Sequence, residues 1–164
     1  AMASKSKIIP EVIKHANSGR FVLGICNGFQ ILSEIGLLRG ALIQNNKLKF
    51  LGKDCFVRKK YENKFNKLIK KDQVLQIPVA HNEGNFYCSN DDLNYLNDEE
   101  LIAFEYCMGS FSNSDANING SINNIAGITN EGKNVLGMMP HPERAYQNFH
   151  NSMDGKFIIE SLIS

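Results

Sequence analysis

Apolar positions fall at helical spacing at the start of the chain and at strand spacing through most of the remainder. Ile8, Ile9, Val12, Ile13 and Ala16 recur every three or four residues, Pro10 is tolerated in a first turn, and Gly19 stands where a C′ residue stops a helix. This spacing predicts an amphipathic helix. Phe21 to Ile25 is a short apolar run of the kind a parallel sheet buries, and Phe29 to Ile35 reads as a short helix ended by Gly36. Further strands are predicted at Leu48 to Leu51, Cys55 to Arg58, Val74 to Ala80, Leu101 to Cys107, Ile122 to Ile128 and Val135 to Met139. Several of these alternate apolar with polar residues, so parallel and antiparallel parts are expected to coexist. A closing helix is predicted over Gly155 to Ile163, with Asp154 as candidate N-cap and Phe157, Ile158, Ile159 and Leu162 as its apolar stripe. Between Gly109 and Asn124 the chain is rich in Ser, Asn and Gly, which predicts a long loop; long ordered loops in compact domains tend to carry function.

A length of 164 residues suits one domain, and neither an internal repeat nor a linker divides it. The apolar share of 43% and charged share of 21% are those of a globular protein, and no apolar run approaches the roughly 18 residues of a membrane span. No basic region followed by an apolar one opens the chain, so nothing marks it for secretion. Four cysteines, Cys26, Cys55, Cys88 and Cys107, stand far apart with no CxxC pair, which fits neither a zinc site nor a disulfide scaffold; a cytoplasmic location is expected. The net charge of +1 hides a basic segment, Lys47 to Asp72, with ten Lys or Arg against Asp54, Glu62 and Asp72. It reads as a solvated edge, or as a surface that docks onto an acidic partner or phosphate. No stacking aromatics accompany the charges, so nucleic acid is not the expected partner.

The candidate chemistry lies in GICNGFQIL, residues 24–32. Gly24-Ile25-Cys26-Asn27-Gly28 matches the nucleophile-elbow pattern with Cys in place of Ser, at a predicted strand-to-helix junction. Such a corner holds its nucleophile at strained, usually positive φ, and the flanking glycines let strand and helix approach closely. The sulfur is then expected near the helix N-terminus, which favours thiolate, with the Asn27 N–H aimed where an oxyanion would form. The bland alternative is a small buried hydrophobe at a strand end.

A thiol of ordinary pKa needs a base. His15 lies in the first helix and His150 in a polar run, and both read as surface residues. His141, in MMPHPERA, follows a predicted strand between Pro140 and Pro142, with Glu143 two residues on. The prolines fix the backbone and the spacing lets Glu143 turn back onto the imidazole, as the acid of a triad does. His81 and Glu83, in AHNEGNF, form a second H-x-E and a rival base. Gly84 and Asn85 beside them suggest instead a loop that binds a polar ligand. Mixed spacing and the lack of a further ligand argue against a metal.

G-I-C-N-G-F-Q with P-H-P-E-R resembles the class I glutamine amidotransferases. Together with AHNEGNFY, DANINGSINNIAGI and NVLGMMPHPERA, in that order, the chain is most similar to the glutaminase subunits of phosphoribosylformylglycinamidine synthase, from about Ser4 onward. The resemblance implies a flavodoxin-like α/β fold: one amidotransferase domain with an open, mostly parallel sheet and flanking helices. It implies Cys26 as nucleophile, His141 as general base and then acid, and Glu143 as the group orienting His141. Asn27, Gln30, His81, Glu83, Gly84 and Asn85 are the implied substrate-binding residues. The implied reaction is hydrolysis of glutamine, with ammonia passed to a synthetase subunit that converts formylglycinamide ribonucleotide to the amidine in purine biosynthesis. A small accessory subunit completes the implied complex. No cofactor is expected in this chain; ATP and Mg belong to the synthetase partner.

The family's domain begins with further strand-helix units, one carrying a glycine-rich loop that supplies half of the oxyanion hole, and nothing here matches them. An N-terminally incomplete domain is therefore expected, with weak activity by itself, since losing one oxyanion donor costs about 2.7–4 kcal/mol. Two alternatives stand beside the leading one: a stand-alone cysteine hydrolase of the γ-glutamyl hydrolase kind, and an inactive interaction module.

Overall fold

A computed structural model describes residues 6–109 and 116–164 of the chain. Helix α1 (Ile9–Asn17) leads into strand β1 (Val22–Ile25), and α2 (Asn27–Glu34) follows after the single residue Cys26. Then come β2 (Ala41–Ile43), β3 (Leu51–Lys59), β4 (Val74–His81), β5 (Asn85–Tyr87), α3 (Asn90–Asp98), β6 (Ile102–Tyr106), β7 (Ile125–Thr129), β8 (Val135–Met138) and α4 (Gly155–Ile163). Short 3-10 turns occupy Ile122–Asn124 and Pro142–Arg144. No helix among the described residues is long and apolar enough to cross a membrane.

The main sheet has six strands in the order β1-β8-β7-β6-β3-β4, and β2 pairs with β5 in a separate ribbon. The α/β architecture with flanking helices is as expected, but the expectation of mostly parallel pairing is corrected. Only β1 and β8 run parallel, while β8–β7, β7–β6, β6–β3 and β3–β4 are antiparallel. For β7 and β8 the reason is connection length. The turn between Thr129 and Val135 is too short for the crossover that parallel neighbours require.

Apolar residues pack on both faces. Phe29, Leu32, Phe86, Leu96, Ile125, Ile128 and Val135 form one cluster with α1, α2 and α3. Val57, Phe65, Leu75, Ile77, Phe104, Tyr106, Met138 and Ile158 form the other, under α4. Strands β6 and β7 are buried along their whole length, as strands covered on both faces are.

Several boundaries differ from expectation. Residues 48–50 form no strand: Leu48 sits at φ +51° in a turn closed by its N–H on Asn45 O. The strand predicted from Ile122 begins at Ile125, because Asn123 and Asn124 take positive φ. Asp154 does not cap α4. Its carboxylate accepts from the Gln76 N–H at 2.8 Å, tying α4 to β4. Helix α3 was not expected, although Ser89 caps it by accepting from the Asp92 N–H. The loop expected over Gly109 to Asn124 lies partly outside the described residues. The basic segment is partly neutralised: Lys59 pairs with Glu62 at 3.0 Å, and Lys60 with the buried Glu105 at 3.1 Å.

Candidate active site

Cys26 is the corner between β1 and α2, at φ +54° and ψ −110°. No other residue separates strand from helix, so the turn is as sharp as the motif requires. Gly24 has the steric reason expected of it, since a Cβ there would lie 2.4 Å from Leu32 Cδ1 and 2.8 Å from the Gly28 carbonyl. Gly28 does not: a Cβ there meets nothing within 4 Å. Its bareness leaves open space above the first turn of α2, so the reading that both glycines serve strand-helix contact is corrected to Gly24 alone.

Two edges of the sheet converge on the thiol. The Cys26 N–H donates to Met138 O at 2.8 Å, which continues the β1–β8 ladder past the strand end. Three residues beyond Met138, the His141 N–H donates to Pro78 O at 2.8 Å, while the Cys26 Sγ–H points to Ala80 O at 3.6 Å. Strand β4 lies at the opposite end of the strand order from β1. The sheet therefore curls until the free edge of β4 holds both the thiol and the backbone of the histidine. Pro78 is tolerated there because an edge strand needs no N–H on its outer side.

His141 is 6% exposed, and its Nδ1 lies 2.7 Å from Glu143 Oε1. A carboxylate accepts, so Nδ1 carries the hydrogen. Nε2 is buried without a hydrogen-bond partner. Glu143 also meets Arg144 Nε at 3.4 Å.

Burial pushes the Cys26 thiol above its ordinary pKa; the Asn27 N–H and the Arg144 charge pull it down, and Glu143 adds to the rise. The expectation of a thiolate favoured by the helix N-terminus is thus corrected for this state. Burial outweighs the amide, so the net shift is upward.

The second H-x-E is built differently. His81 is 4% exposed, and Nδ1 lies 3.1 Å from Asn45 Oδ1, so its partner is an amide and not Glu83, which is exposed. Burial, and then the charge of His141, hold the His81 imidazole down at about 4. A carboxylate orients His141 and none orients His81, which favours His141 as base. Gly84 lies against the His81 ring, and a Cβ there would come within 2.2 Å of Cε1. Gly84 O accepts from Asn119 Nδ2 at 2.7 Å and Ser121 Oγ at 3.3 Å, so the polar loop expected to be functional is knitted to this cradle. Asn85 opens β5 and donates its amide to Gln44 O at 3.4 Å. Gln30 is half-buried in the first turn of α2, its N–H on Cys26 O at 3.3 Å.

Asn45, Asn119 and Arg144 contact His81, Gly84 and Glu143 respectively, and were not expected. Arg144 stands next to Glu143 in the quoted P-H-P-E-R and was legible there; Asn119 lies in the quoted ANINGS loop. Asn45 left no local signal. His150, expected at the surface, is half-buried, and its Nδ1 accepts the N–H groups of Tyr146 and Gln147 at 3.1 and 3.2 Å. All four cysteines are free thiols.

Comparison with known proteins gives a consistent picture. The sequence profile of the CobB/CobQ-like glutamine amidotransferase domain matches residues 1–160. The chain is 47% identical to the phosphoribosylformylglycinamidine synthase subunit PurQ of Pelagibacter ubique, over 100% of this chain and 73% of that one. To the subunit of the same name from Koribacter versatilis it is 48% identical, covering 99% of this chain and 71% of that one. Among solved structures, PurLQS from Thermotoga maritima matches with a TM-score of 0.84 and 35% identity, over 99% of this chain and 69% of that one. A glutamine amidotransferase from Thermotoga maritima, 18% identical with a TM-score of 0.53 over 83% of this chain and 46% of that one, shares the fold.

Proposed function

Since the chain belongs to the CobB/CobQ-like glutamine amidotransferase domain family, we propose that it is the glutaminase subunit of a phosphoribosylformylglycinamidine synthase. It hydrolyses glutamine through Cys26, His141 and Glu143 and delivers ammonia to a synthetase subunit. That partner uses ATP and Mg to convert formylglycinamide ribonucleotide to the amidine, in a complex that includes a small accessory subunit.

The observation that carries this reading is Cys26 at positive φ on a one-residue strand-to-helix corner, paired in the sheet with β8, three residues after which stands a carboxylate-oriented histidine. His141 Nε2 takes the thiol proton as Sγ attacks the carboxamide carbon of glutamine. The carbonyl oxygen becomes an oxyanion at the Asn27 N–H. Collapse breaks the carbon–nitrogen bond, and His141 returns its proton to the nitrogen, which leaves as ammonia. A γ-glutamyl thioester remains on Cys26. Water, deprotonated by the same Nε2, then attacks the thioester; glutamate departs and the proton returns to sulfur. Glu143 keeps the hydrogen on Nδ1 and steadies the imidazolium in both halves. Asn27, Gln30, His81, Glu83, Gly84 and Asn85 are assigned to glutamine binding; Gly28, bare over open space, leaves room for the ligand.

The test is incubation with a glutamine-analogue alkylator followed by mapping of the label. Modification at Cys26 and not at Cys55, Cys88 or Cys107, with ammonia release that rises when the synthetase subunit is added, is the expected result. Activity that is indifferent to the synthetase favours a stand-alone hydrolase, and labelling that ignores Cys26 removes the glutaminase reading.

A further inference from the structure

We propose that His81 Nε2 is the hydrogen-bond acceptor for the carboxamide nitrogen of the substrate, a specificity contact that separates an amide from the carboxylate product. The proposal rests on the glutaminase reading above and goes beyond it in giving one residue a defined donor.

The hydrogen on the His81 ring is fixed by its neighbours. Asn45 is 1% exposed, and its Nδ2 donates to Lys49 O at 2.8 Å and His81 O at 3.0 Å. Its Oδ1 accepts the Gly84 N–H at 3.0 Å, so the amide has one orientation and Oδ1 is an acceptor. His81 Nδ1, at 3.1 Å from that oxygen, must be the donor. The other nitrogen then bears a lone pair. It is buried and without a partner, in a ring 4% exposed.

An orphaned buried acceptor is costly and marks a place for a donor. The same neighbourhood holds one other orphaned ring nitrogen, Nε2 of His141, a ring whose protonation opposes that of His81. That nitrogen is committed to the thiol proton. His81 is left with no assigned donor, in a site whose substrate brings two on one atom. A carboxamide nitrogen carries two N–H groups, whereas the carboxylate of glutamate has only lone pairs and negative charge. With glutamine, hydrogen meets lone pair. With glutamate, lone pair meets lone pair, and the product is repelled.

The same tautomer suits the released nitrogen. His141 returns the one proton that the departing amine needs. A neutral His81, its only hydrogen held by Asn45, has none to add, so the nitrogen leaves as ammonia and not as ammonium. Gly84 belongs to the arrangement because any side chain there would push the ring out of place.

The experiment is ring nitrogen NMR on histidine-labelled protein, with Cys26→Ala to block turnover. His81 is expected as the Nδ1–H tautomer, with Nε2 shifting in the hydrogen-bonding direction on addition of glutamine and remaining still with glutamate. In the complex with its synthetase, His81→Ala with an intact melting transition is expected to raise KM for glutamine about tenfold and to lower the glutamate inhibition constant by a similar factor, the scale of one hydrogen bond. A purely structural role would leave the ratio of those two constants unchanged. The proposal is overturned if His81 carries its hydrogen on Nε2, or if glutamine protects Cys26 of the unmutated chain from alkylation while Nε2 does not move in the Cys26→Ala protein. If glutamine gives no protection at all, the glutaminase reading falls and takes this contact with it.

Discussion

Replacing Glu143 by Gln removes the charge that faces the His141 ring while keeping the shape of the side chain. His141 Nδ1 and Glu143 Oε1 are 2.7 Å apart, so the charge centres of an imidazolium and this carboxylate lie about 4 Å from one another. At that distance the attraction is about 1 kcal/mol in water and about 4 kcal/mol near a protein surface. The side chain of Glu143 is 44% exposed and shared with Arg144 at 3.4 Å, which places the value between these limits, at about 2 kcal/mol. Taking the thiol proton puts a positive charge on His141, so in the proposed mechanism the loss falls on the transition state. We expect kcat to drop about 30-fold, with KM for glutamine unchanged because Glu143 does not touch the substrate. The melting temperature should stay within a degree or two, because a half-exposed pair contributes little to folding. Steady-state ammonia release by the assembled complex is the assay. A kcat within twofold of the parent would show that Glu143 is a surface partner of the ring and no part of the chemistry.

Other consequences are smaller but separable. Arg144→Gln removes a charge that lowers the Cys26 pKa, so iodoacetamide should react about two- to threefold more slowly at pH 7, and equally fast once the pH exceeds the thiol pKa; Arg144 is itself 54% exposed, which keeps the effect small. Cys26→Gly relieves a non-glycine residue at φ +54° and should raise stability by about 1 kcal/mol in a denaturant titration while abolishing ammonia release. His81, held down at about 4 in the fold, leaves the unfolded chain with more bound protons between pH 4 and 6.5. Its contribution is therefore full above pH 6.5 and lost as pH falls through 4, about 3 kcal/mol over the window, and His81→Gln should flatten that part of the stability profile. A parallel pair of profiles would refute the burial of a neutral imidazole.

The parts of this site that depend on neighbours in the chain were legible. A helix needs its stripe and a C′ glycine, so α1 reads from Ile8 to Gly19; a corner needs Gly24 beside its nucleophile, so Cys26 stands out. His141 and Glu143 are two residues apart, and their contact follows from that spacing. What could not be read depends on the curled sheet. Three-residue strands such as β2 and β5 carry no periodicity, and they pair across some forty residues. Asn45 looks like any polar loop residue until the fold sets His81, Gly84 and Lys49 O around it. The direction of pairing in β3, β4 and β6 is likewise invisible, because alternation reports burial and not polarity of the chain. Helix α3 is the exception, since Ser89 three residues before Asp92 is a local start signal that the weak apolar stripe of Leu93 and Leu96 masked.

Opposing effects meet at Cys26: burial raises its pKa, while the Asn27 amide and the Arg144 charge lower it. The corner, the Asn27 amide and the Glu143-oriented imidazole are already in place. Burial is the largest of these effects, and Sγ lies 3.6 Å from Ala80 O. The thiolate is the species that attacks carbonyl carbon, and it is also the species that peroxides and alkylators consume. A permanently ionised Cys26 would spend itself whenever glutamine was absent. A thiol whose burial opposes ionisation needs a base, the part that the proposed function gives to His141 with Glu143 on its Nδ1.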